Sequence, residues 1–66
     1  MDDTERRQLA TAIRDECVRE LLDAYEQAGM SGLCAEGRWE VAVGRVRSLS
    51  DADLLERAAA ITQERA

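Results

Sequence analysis

Apolar residues recur every three or four positions from Leu9 to Ala28, and no proline interrupts them anywhere in the chain. Leu9, Ile13, Cys17, Leu21, Ala24 and Ala28 make the stripe, with Val18, Leu22 and Tyr25 at its flanks. That period, sustained for about six turns, predicts one long amphipathic helix. The stripe is wide, as expected for a helix that faces other helices rather than a narrow two-stranded seam. Arg7, Arg14, Asp15, Arg19, Asp23 and Glu26 occupy the other face. Asp2 to Glu5 is polar and residues 1–4 are expected to fray, with Asp3 or Thr4 as the N-cap.

The second organising stretch is Leu33 to Leu49, which holds the only Trp and three of the nine arginines. The glycines Gly29 and Gly32 fit either a break or a kink. Ala24, Ala28 and Gly32 form a small-residue row that continues the stripe to Ala35, so the helix is expected to run on to Glu36. Gly37 then supplies the turn, because it adopts a left-handed conformation without steric cost. Arg38 to Ser48 reads as a second helix, with Trp39, Ala42, Val43, Val46 and Leu49 on one side. Gly44 inside it is disfavoured relative to alanine, so a helix–helix contact is expected there. Ser50 is a natural N-cap for a third helix, with Asp53 at the capping-box position and Leu54, Leu55, Ala58, Ile61 and Thr62 as its buried stripe. The expected fold is all-α: a single-domain, three-helix bundle over 1–66, with a long, kinkable first helix and a helical hairpin turn at Gly37.

Sixty-six residues with one Trp, one Tyr and no Phe make a thin core. Chains of this size bury only about 60% of their unfolded surface and commonly rely on a metal, disulfides or association. All nine cations are Arg and there is no His, which removes the commonest general base and metal ligand. A net charge of −5 argues against nucleic acid as a partner, since counterion release needs a basic patch. The absence of a run of about 20 apolar residues argues against a membrane span. Cys17 and Cys34 form no C-x-x-C and cannot close a zinc site without further ligands. With no signal-peptide pattern, they read as reduced thiols in a cytoplasmic protein. No cofactor and no small-molecule substrate are expected.

The segment Ala35 to Ala42, AEGRWEVA, resembles the middle of a tetratricopeptide repeat, where a Gly ends one helix and an aromatic and an Ala follow. Gly37, Trp39 and Ala42 carry that spacing. The resemblance covers about half of one repeat and no second copy follows, whereas such repeats stack. It implies a peptide- or protein-binding helical hairpin. The same spacing is also how any short helical hairpin turn is built.

Trp39 reads first as a core anchor across the hairpin and second as an interface hot spot beside arginine. Arg38, Arg45 and Arg47 give residues 38–48 a local excess of positive charge, which suits the helix C-terminus or an acidic docking partner. Glu16, Glu20 and Asp23 share a face of the first helix and read as solvated surface. Both later helices are expected to fold over the C-terminal half of the first. That leaves Leu9, Ile13, Cys17 and Leu21 as a contact stripe, with Trp39 and Arg38, Arg45 and Arg47 as a second surface. The expected function is a non-catalytic helical subunit or adaptor that self-associates or binds a larger protein. Two other classes compete: a subunit of an oligomeric enzyme or metal-binding assembly using Glu16, Glu20, Asp23 and Cys34, and a small transcriptional regulator.

Overall fold

The computed structural model describes residues 1–65, and the side chains of residues 1–63; Ala66, within the expected domain, lies outside the described residues. The chain is all-α, as the periodicity predicts. Three helices follow one another, α1 over Asp3–Met30, α2 over Ala35–Ser48 and α3 over Asp51–Arg65. The chain divides into two compact units. One joins Met1–Glu16 to the segment that starts at Ser50, so α3 packs on the N-terminal half of α1. The other is Cys17–Leu49, in which α2 packs on the C-terminal half of α1. The expectation that α2 and α3 share the C-terminal half of α1 is therefore corrected.

α1 starts one residue earlier than expected. The Glu5 amide donates to Asp2 Oδ1 at 2.7 Å, and the Arg6 amide donates to the Asp2 carbonyl at 3.0 Å. Asp2, rather than Asp3 or Thr4, is thus the N-cap, because its carboxylate reaches the third amide of the helix. Asp3 and Glu5 then sit in the first turn, where the helix dipole favours anions. Residues 3 and 4, expected to fray, are helical.

The turn between α1 and α2 also differs from the expectation. α1 ends at Met30, not Glu36, and Gly32 is the left-handed residue, with φ +88°. The Leu33 amide donates to the Ala28 carbonyl at 3.1 Å, and the Gly32 amide to the Gly29 carbonyl at 3.0 Å. That pair of bonds is the Schellman arrangement, which satisfies two of the carbonyls that a helix end leaves open. Cys34 follows in an extended conformation as the residue before α2. Gly37 lies inside the first turn of α2, and no helical hairpin turn is made there. Both glycines suit a helix end by composition; only Gly32 is followed by an apolar residue and then by an acid, Glu36, in the next first turn. α2 ends at Ser48, and Ser50 caps α3 as expected, with the Asp53 amide donating to its Oγ at 3.1 Å.

The core is built of the smallest side chains. Ala12, Ala24, Ala28, Ala42 and Ala58 are the buried apolar residues. Alanine at a helix contact lets two backbones approach closely, since interaxial distance follows the size of the side chains between them. Larger residues are pushed to the edges: Leu9, Ile13, Cys17, Leu21, Tyr25, Leu54 and Ile61 are half-buried, and Val18, Leu22 and Leu55 are exposed. Trp39, expected as a core anchor, is 56% exposed. The buried residue of α2 is the small Ala42, and a close contact made through alanine leaves a bulky indole one turn away at its margin.

Two substitutions test this account by thermal unfolding. Gly32→Ala places a Cβ in open space but in a left-handed conformation, and is expected to cost about 1 kcal/mol; no loss would mean the turn is not held by this geometry. Ala42→Leu is expected to destabilise by about 1–3 kcal/mol through overpacking, and a neutral or stabilising result would show that the helices do not meet there.

Candidate functional site

α1 and α2 are joined at their edges by arginine. Arg45 stands in the last turn of α2, and its guanidinium spans three acceptors on α1. Nη1 donates to Asp23 Oδ2 at 2.9 Å and to Glu20 Oε2 at 3.4 Å, and Nη2 donates to Gln27 Oε1 at 2.9 Å. Glu20, Asp23 and Gln27 lie three and four residues apart, the spacing that puts side chains in one row. Gln27 Nε2 also donates to Asp23 Oδ2 at 3.1 Å, which closes the set. A planar guanidinium suits this task because its donors diverge in one fixed plane.

Arg38 works at the turn. Its Nε donates to the Leu33 carbonyl at 2.8 Å, and its Cζ lies 5.9 Å from the centre of the Tyr25 ring, within cation–π range. The guanidinium also lies over Gly29, where a Cβ would come within 3.1 Å of it. Of the two readings of Gly29 to Gly32, the break is the one the structure takes, at Gly32, and Gly29 within the last turn of α1 also makes room for Arg38.

In the other unit, Glu16 is buried at 5% exposure, with Arg57 Nη1 of α3 3.7 Å from its Oε2. The reading of Glu16, Glu20 and Asp23 as a solvated face is corrected for the first two: Glu16 is buried beside Arg57 of α3 and Glu20 is shielded beside Arg45 of α2, while Asp23 stays exposed and also pairs with Arg45. Opposite charge on a later helix is the signal that identifies such carboxylates, and helical spacing alone does not carry it. Among the described residues, no group of three or more His, Cys, Asp or Glu is placed to hold a metal ion. No buried side-chain nitrogen or oxygen among them lacks a hydrogen-bond partner.

The surface residues singled out in the sequence fall into three situations. Leu9, Ile13, Cys17 and Leu21 are half-buried rather than a free stripe; α3 packs along the first part of α1 and α2 along the rest. Arg38 and Arg45 are engaged within the chain. Trp39 and Arg47 are exposed and line one shallow groove with Glu40, Val43 and Gly44. Gly44 is at no helix–helix contact among the described residues, since a Cβ there would meet nothing within 4 Å outside its own helix. Glu40 and the open surface at Gly44 were not singled out as site residues. Val18 and Leu22, one turn apart on α1, are exposed as well, and in the sequence they stand only at the flanks of the stripe. Cys17 and Cys34 are free thiols, half-buried and exposed respectively.

No protein-family model, curated protein or solved structure matches the chain. No helix among the described residues is long and apolar enough to cross a membrane.

The Arg45 clamp is expected to contribute measurably to stability because Glu20 is well shielded, with a side chain 17% exposed. Arg45→Gln should cost about 1–2 kcal/mol in chemical denaturation. Arg7→Gln removes an ion pair to Asp3 that is largely solvated on both sides, and should change stability by less than about 1 kcal/mol. Equal effects of the two would mean that the clamp gains nothing from its shielding.

Proposed function

We propose that this protein is a small non-catalytic helical subunit or adaptor that acts through protein–protein contact, self-association first. The carrying observation is that the buried apolar side chains are alanines, while Val18, Leu22, Leu33, Trp39, Val41 and Leu55 remain exposed. Alanine cores bury little apolar area per residue, and hydrophobic stabilisation scales with that area. A second surface that covers the larger side chains would supply what the intrachain packing does not. Exposed tryptophan beside arginine is also the composition of interface hot spots. Free thiols suit a reducing compartment, and the reading places the protein in the cytoplasm.

The test is molar mass by light scattering over a hundredfold range of concentration, with the melting temperature followed over the same range. Self-association predicts a mass above that of one chain and a melting temperature that rises with concentration. A well-folded monomer with a constant melting temperature would remove self-association, and the proposal would then stand or fall on whether a protein partner raises its stability.

A further inference from the structure

We infer that the outer face of α2 is the self-association surface, and that two copies pair there with their α2 helices antiparallel about a two-fold axis. This rests on the self-association reading and adds where it happens. Three observations meet on that face.

The first is the groove lined by Trp39, Glu40, Val43, Gly44 and Arg47. Glu40, Gly44 and Arg47 lie on the side of α2 turned away from the buried Ala42, and the exposed Trp39 and half-buried Val43 border it. The second is Gly44. An interior helix glycine is disfavoured relative to alanine, its φ here is ordinary, and beyond its own turn of helix none of the described residues stands within 4 Å of where its Cβ would be. Nothing within one copy requires glycine at this position. A second helix laid across it would, because the missing side chain lets a facing residue seat against the backbone.

The third is charge. Glu40 and Arg47 make no hydrogen bond or ion pair with any described residue. Their neighbours at three and four positions towards each other are Val43 and Gly44 in both cases, so neither finds a partner on its own turn of helix. Seven residues separate them, about 10 Å of rise, too far for an ion pair within one helix. Glu36, one turn before Glu40, extends the acidic end. The face is thus acidic at its start, small and apolar in its middle and basic at its end.

Antiparallel pairing about an axis between positions 43 and 44 sets each Glu40 opposite Arg47 of the other copy. The same register sets each Val43 opposite the open surface of Gly44. Both contacts occur twice, as an isologous interface demands. Parallel pairing would instead place like charges together. Trp39 borders the contact and is the only tryptophan, so its emission reports it.

Sedimentation equilibrium at low salt on the full chain tests the assignment. The wild type is expected to dimerise with a blue shift of Trp39 emission. Glu40→Arg and Arg47→Glu each turn two attractive contacts into two repulsive ones, and each should weaken dimerisation at least about tenfold. An equimolar mixture of the two variants should regain wild-type association, because each then meets the opposite charge; this also shows that both variants fold. Gly44→Leu should weaken dimerisation with helix content unchanged. A wild-type dimer that none of these variants weakens would overturn the assignment and leave self-association standing through another face. A wild-type monomer at every concentration would overturn both.

Discussion

The close approach of helices through alanine is the constraint from which the rest of this structure follows. Among the described residues, Ala24, Ala28 and Ala42 are the buried apolar side chains of the unit that α2 completes, and Ala12 and Ala58 those of the unit that α3 completes; a helix contact built on alanine leaves little room for a leucine-sized side chain. Leucines, valines and the tryptophan are therefore displaced to the margins of each contact, half-covered or open. Dispersion contacts across such a seam are dense, but the apolar area removed from water is small. The same geometry that holds the helices together leaves the large apolar residues for something else to cover.

Charge compensates in part. Close backbones bring the edges of neighbouring helices within reach of long side chains, and arginine uses that reach. Arg45 gathers three acceptors from one row of α1, Arg57 stands beside the buried Glu16, and Arg38 folds back on the turn, over Gly29 and near Tyr25. These pairs do more than decorate the surface, because several of the groups are shielded from water. They also remove Arg38 and Arg45 from the cations free to meet a partner, and leave Arg47 on the outer face of α2. Function is thus best sought where charges and apolar groups lack intrachain partners.

How much of this was legible follows from what each signal measures. The long first helix, the capping Ser50 and the absence of strands were open to a reader of the sequence, because periodicity and capping chemistry act within a few residues. The turn was misplaced because Gly32 and Gly37 are both acceptable helix ends in isolation. The choice between them rests on a pair of backbone bonds at Gly32 and on the start of α2 that follows. Between a kink and a break at Gly29 to Gly32 the chain takes the break, and Gly29 is in addition a seat for a guanidinium from another helix.

The sequence by itself determined that there are three helices, that Ser50 caps the third and that the core is thin, all properties of local spacing and composition. Tertiary structure alone decided which alanines are buried, that Trp39 faces outward and that Glu16 is buried with Arg57 beside it. It also decided that the two later helices take different halves of α1. The physical reason is that an apolar stripe states how much surface a helix must cover but not with what. Only the packing of one helix on another selects the partner, and with it the side chains that are left over.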